Sequence, residues 1–193
     1  DKKARILAEA LTLFSTRGYV ATSLADIARA SDISKAGLLH HYSSKDQLLA
    51  AVLDERDRRT ISRLPDGDKG TGAALDAWVE IVAHNQRHPD GVALYTAMSA
   101  AVIDASHQAH PWFRQHLMAA IEYLVDTLER GKAAGEVHPD APSEQIARKL
   151  VALSDGLQVQ WLCSRADGGR DVDMRAVTAG VVSDIKDRWL IRS

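Results

Sequence analysis

The chain has 193 residues, 46% of them hydrophobic, and its 24 Lys and Arg stand against 26 Asp and Glu for a formal net charge of −2. That content suffices for a packed core in one large or two small domains, and no apolar run of about eighteen residues predicts a membrane span. The single cysteine, Cys163, excludes an internal disulfide and fits a reducing cytoplasm.

The opening Asp1-Lys2-Lys3-Ala4-Arg5 is expected to enter a helix directly, without a secretory leader. That first helix runs from about Lys3 to Arg17, with Ile6, Leu7, Ala10, Leu11 and Phe14 on one face and Gly18 as its stop. Ser23 is an N-cap, with Asp26 three residues on in a weaker form of the capping box. The short helix it opens turns Leu24, Ile27 and Ala28 inward. Ser34 caps a third helix, in which Leu38 and Tyr42 sit four apart and share a buried face. The opposite face carries Lys35, Ala36, Gly37, Leu39, His40 and His41. Its small residues let the backbone approach a partner closely, and its basic and polar residues suit a polyanion. Two short helices joined by a tight turn, the second with such a face, have the geometry of a helix-turn-helix, whose second helix enters the DNA major groove.

Ser44 and Gln47 form a capping box for a fourth helix running towards Ile61, charge-rich from Asp54 to Arg59. Residues 1 to 53 hold seven Lys or Arg against five Asp or Glu, a balance of +2 that leaves −4 for the remainder. A mildly basic head on an acidic body fits a module that touches phosphate at one end only. Leu64 to Gly72 is the clearest linker. Further helices are predicted over about Ala73 to His88, Val92 to Ser106, Trp112 to Ala134, Ser143 to Arg165 and Asp171 to Ile191. They are separated by His88-Pro89-Asp90-Gly91, a turn at Pro111, Gly135 to Pro139, and Asp167-Gly168-Gly169. Strand signals are nearly absent, and the fold class is all-α.

The segment from Ala4 to Leu53 resembles the N-terminal DNA-binding domain of the TetR family of bacterial transcriptional regulators. The resemblance rests on Ile6 to Leu11, Phe14 and Gly18-Tyr19, then on Thr22 to Ala28, Ser34 to Leu38 and Tyr42 to Leu48. Two positions depart from the family's pattern. Asp32 stands in the turn where the family usually has Gly, which is tolerable because Asp visits left-handed backbone readily. Leu39 stands where the family most often has a Tyr that contacts the DNA backbone. The resemblance implies a DNA-binding domain over residues 1–50 and an effector-binding and dimerisation domain over 51–193. Thr22, Ser23 and Lys45 are expected at phosphates, and Ser34, Lys35, Ala36, Gly37, Leu39, His40 and His41 at the groove.

The last two helices are more apolar than a surface pair requires. Leu157 and Trp161 belong to one stripe, and Val177, Val181, Ile185 and Trp189 recur at four-residue steps in the final helix. Such helices either complete a monomer core or pack against their own copies as a four-helix bundle. The resemblance favours the second, since TetR-like proteins usually dimerise through their last two helices. Trp78, Val82, Tyr95, Met98, Val102 and Phe113 are bulky groups on three successive helices, into which Ser99, His116, Asp155 and Gln158 bring polarity. They make either a packed core or a small-molecule site, and the resemblance favours a pocket among these helices.

Other features fail as sites. Gly67 to Gly72 lacks the Gly-Lys-Ser/Thr of a phosphate loop. His84, His88, His107, His110 and His116 lack a zinc motif around them and fit solvated or hydrogen-bonded roles. Cys163, beside Trp161 and Leu162, is expected to be buried and inert. The expectation is a cytoplasmic homodimeric repressor without catalytic residues, cofactor or metal, binding a near-palindromic double-stranded DNA operator and released by a small-molecule effector. The alternatives are a helix-turn-helix protein without an effector and a metal- or thiol-dependent hydrolase.

Overall fold

The computed structural model describes residues 1–62, 69–166, 168 and 172–191, with only the backbone of residues 60 and 61. The expected linker over residues 64–68, the break at Asp167 and Gly169, and the helix start at Asp171 lie outside the described residues. Among the described residues, nine helices follow in chain order: α1 (Lys2–Arg17), α2 (Leu24–Ala30), α3 (Lys35–His41), α4 (Lys45–Ile61), α5 (Gly70–Gln86), α6 (Pro89–Ala101), α7 (His110–Ala133), α8 (Ser143–Ala166) and α9 (Met174–Trp189). Among the described residues the sole extended pairing is an antiparallel bridge between Val137 and Leu190. No described helix is long and apolar enough to cross a membrane.

Prolines explain two of the boundary shifts. Pro89 occupies the first turn of α6, and Pro111 is the second residue of α7 rather than a break before it. A helix's first turn has no intrahelical partner for the N–H that proline lacks, so a proline pair of this kind marks starts. Gly70, Thr71 and Gly72 belong to α5, not to a linker, because the Thr71 N–H donates to Glu136 Oε2 at 2.8 Å and anchors that first turn. Asp173 caps α9 by accepting from the Ala176 N–H at 3.0 Å, so the last helix begins at Met174.

The chain divides into two compact units, residues 1–59 with 88–113 and residues 60–87 with 114–193. This places α6 and the start of α7 with the N-terminal helices, beyond the boundary expected near residue 50. The first unit is held by Ile6, Ala10, Phe14, Ile27, Leu38, Leu48 and Leu53 in one apolar cluster, which Tyr95, Met98, Val102 and Phe113 complete. Tyr95 and Phe113 stack at 5.0 Å, and the Arg56 guanidinium lies 4.5 Å from the Tyr95 ring centre. In the second unit α9 packs against α5 and α8. Trp78 donates its buried indole N–H to Ser154 Oγ at 3.1 Å, and that hydroxyl donates onward to the Leu150 carbonyl. Cys163, expected to be buried, is exposed on α8: it lies two residues past Trp161, roughly half a turn round the helix from that buried ring.

Candidate DNA-binding interface

The turn between α2 and α3 is tied down at both ends. The Asp26 N–H donates to Ser23 Oγ at 3.2 Å, and the Ser23 N–H donates back to Asp26 Oδ2 at 3.1 Å, so the capping box is complete. The Ser23 hydroxyl and backbone N–H, joined by Arg29, hold the Asp26 carboxyl below the usual carboxylate range. The Ile33 N–H reaches the Ala28 carbonyl, and Asp32 sits between them at φ 53°, the positive φ that the family's usual glycine would take. Arg5 of α1 donates to the Ser31 carbonyl and, at 3.3 Å, to that of Asp32. Thus α1 holds the turn from behind while leaving its outer side open.

Ser34 accepts from the Gly37 N–H at 3.0 Å and opens α3. Leu38 and Tyr42 face the core, as their spacing predicts. Lys35, Ala36, Leu39 and His40 are exposed, with Gly37 and His41 half-buried. The His40 and His41 rings lie 5.8 Å apart. Among the described residues, Lys35, His40 and His41 make no hydrogen bond or ion pair through their side chains. An α-helix presenting cationic and small side chains without internal partners can enter a major groove and keep its donors for bases and phosphates.

Three expected phosphate contacts are placed differently by the structure. Thr22 is buried, and its hydroxyl has the Leu13 and Gly18 carbonyls at 3.2 and 2.9 Å as acceptors. The Ser23 hydroxyl donates to Asp26 at 2.6 Å. Lys45 directs its ammonium at the carbonyls of Tyr19, Val20 and Thr22, at 2.9, 3.4 and 3.0 Å, and lies 4.3 Å from the Tyr19 ring centre. Tyr19 in turn donates its hydroxyl to Asp46, and burial together with that carboxylate pushes the phenol pKa well up, so it stays protonated. Lys45, Tyr19 and Asp46 therefore clasp the α1–α2 loop to the start of α4. Sequence reasoning missed this clasp: Tyr19 and Asp46 lie inside recognisable motifs, but their pairing spans 27 positions.

The ten expected effector residues fall in both units. Tyr95, Met98, Val102 and Phe113 belong to the apolar cluster of the first unit, and Ser99 is exposed with its hydroxyl on the Thr96 carbonyl. Trp78, Val82 and Gln158 are buried in the second unit, where His116 and Asp155 are half-buried. Of the expected interface residues, Leu157 and Trp161 are 3% and 1% exposed in the single chain and have no surface left to offer a second copy. Val177 is 44% exposed, while Val181, Ile185 and Trp189 are half-buried, Trp189 lying 6.3 Å from the His138 ring.

Residues 6–52 match the model of the bacterial regulatory proteins, tetR family. The chain is 26% identical over 182 residues to the A-factor receptor protein of Streptomyces griseus, an alignment spanning 90% of this chain and 58% of that receptor. Over 46 residues, 24% of this chain and 25% of the other, it is 44% identical to IcaR of Staphylococcus epidermidis, the negative transcriptional regulator of the biofilm operon icaADBC. The solved structure of Salmonella enterica GusR superposes with a TM-score of 0.75 at 26% identity, covering 95% of this chain and 94% of that one. The matched residues are the capped, core-anchored helix-turn-helix described above, so this segment is a DNA-binding domain of the tetR family, and most of the chain is similar to regulators of that kind.

Proposed function

We propose that this regulator is a homodimeric repressor that holds a near-palindromic operator through α3 and lets go when a small molecule binds its second unit. The observation that carries the operator reading is the outer face of α3, whose Lys35, Ala36, Leu39 and His40 are exposed on a helix fixed by Ser34 in front and Leu38 behind. Repression is supported by the likeness of the DNA-binding segment to a negative regulator. Effector release is supported by the likeness to a protein named as a receptor, and by polar groups in the second unit. There Gln158 is buried one turn beyond Ser154, which holds the Trp78 indole. An apolar ligand with one or two polar anchors suits Trp78, Val82, Gln158, His116 and Asp155. The ligand must bind better to the dimer state whose recognition helices are wrongly spaced for DNA. Relief of about 100-fold needs a preference of only about 2.7 kcal/mol.

Dimerisation is supported by the outer surfaces of α8 and α9, where Val159 and Val177 are 48% and 44% exposed and Gly156 and Gly180 have open space above them. The place of action is with the DNA, in the cytoplasm. Selection from a random duplex pool tests the operator reading. It should enrich an inverted repeat whose half-sites lie about 34 to 36 Å apart or somewhat more, with affinity that falls steeply as salt rises. Equal binding to every duplex overturns the reading.

A further inference from the structure

We infer that Leu39 is a specificity-determining residue that reads the C5 methyl group of a thymine in each operator half-site. This rests on the operator reading above. Leu39 follows Leu38 in α3, and the two leucines have opposite fates: Leu38 is fully buried in the core, whereas Leu39 is 38% exposed. It sits three residues after Ala36 and four after Lys35, both exposed, so the three side chains share one face with His40 beside them. On this face Leu39 is the one large apolar group, and its isobutyl side chain stands in water on a surface otherwise suited to a polyanion.

The major groove offers such a group one apolar partner. Each base pair shows hydrogen-bond donors and acceptors there, and only thymine adds a methyl group. Leucine can neither donate nor accept, so it discriminates by displacing water from that methyl and by losing contact where cytosine or a purine replaces it. Gly37 strengthens the case. A Cβ at that position would come 3.2 Å from Ser34 Oγ and 4.0 Å from Ile33 Cβ, so glycine keeps clear the cap that fixes α3 and with it the placing of Leu39. Lys35, one turn earlier, is placed to meet phosphate or a guanine edge while Leu39 meets the methyl.

The test replaces each thymine of the selected operator in turn with deoxyuridine, which deletes the methyl and keeps every hydrogen-bonding group. Affinity is then measured for the wild type and for Leu39→Ala. One position per half-site should lose about 4-fold in the wild type, the value of one methyl removed from water, and about 15-fold when both half-sites are changed. In Leu39→Ala, whatever its overall affinity, the same substitution should cost nothing further. Indifference of the wild type to every deoxyuridine overturns the inference, as does a loss of equal size in Leu39→Ala or a selected half-site lacking thymine. In each of these cases operator binding itself stands, whereas a pool that enriches nothing overturns the operator reading and this inference together.

Discussion

Asp32 turns the chain between α2 and α3 with φ 53°, the single left-handed non-glycine residue among those described. A side chain branched at Cβ would meet its own carbonyl there, so Asp32→Val should lower unfolding stability by about 1–2 kcal/mol. Asp32→Gly should be no less stable than the wild type, because glycine takes positive φ without that clash. The ion pair it would lose, 3.5 Å from Arg5, is too exposed to matter much. Beside it, Ser31 is fully buried and its hydroxyl has no hydrogen-bond partner among the described residues. Ser31→Ala should therefore raise stability, by about 1 kcal/mol. Thermal or urea unfolding followed by circular dichroism checks all three; a stabilised Asp32→Val would contradict the turn described.

At the scale of elements, the clasp on α4 and the close approach of α7 to the first turn of α5 each depend on one residue. Lys45 directs its ammonium at three carbonyls of the α1–α2 loop, so Lys45→Met should cost about 1–3 kcal/mol of stability and weaken operator binding through a displaced loop. Lys45→Arg should also lose stability, since a planar guanidinium cannot point at three converging acceptors as an ammonium does. The slope of log affinity against log salt should stay unchanged in both variants. A slope reduced by about 1 in Lys45→Met would show instead that Lys45 leaves the loop and neutralises a phosphate. In the second unit, a Cβ on Gly131 would fall 2.1 Å from Thr71 Oγ1 and 2.5 Å from Val137 Cγ2. Both neighbours are short and branched and cannot swing away. Gly131→Ala should thus destabilise by about 1–3 kcal/mol, although alanine is the better helix former by about 1 kcal/mol. A rise in melting temperature would refute the close approach.

At the scale of the whole molecule, the proposed dimer can be probed. Trp189 is a poor probe of dimerisation, since its half-buried ring lies beside His138 and its replacement would disturb the chain's own packing. Val177 is better placed, exposed on α9 with little of its own chain to disturb. Val177→Asp should leave helical content unchanged, give monomers in sedimentation, and lose operator affinity because two half-sites are no longer engaged together. A wild type that sediments as a monomer at micromolar concentration would refute the dimer.

Much of this was legible without coordinates. Caps, stops and periodicity follow from the backbone's need to satisfy its own N–H groups and from 3.6-residue spacing, which are local quantities. Ser23 with Asp26, Ser34, Leu38 with Tyr42, and the left-handed Asp32 could therefore be read directly, and with them the helix-turn-helix. Gln47 shows the limit of such reading: its N–H does reach Ser44, but its side-chain oxygen accepts from Ser43 at 2.6 Å instead of closing the box. Burial was less accessible, because an apolar stripe does not say whether its partner is the same chain or another. Hence Trp161 and Leu157 proved to be internal, Cys163 external, and Tyr95 and Phe113 part of the DNA-binding unit's core. Lys45 looked free to meet phosphate until the chain brought the Tyr19, Val20 and Thr22 carbonyls to its ammonium from more than twenty residues away. Local order is written in neighbouring residues, but which charges and which apolar faces remain free is settled only when distant segments pack.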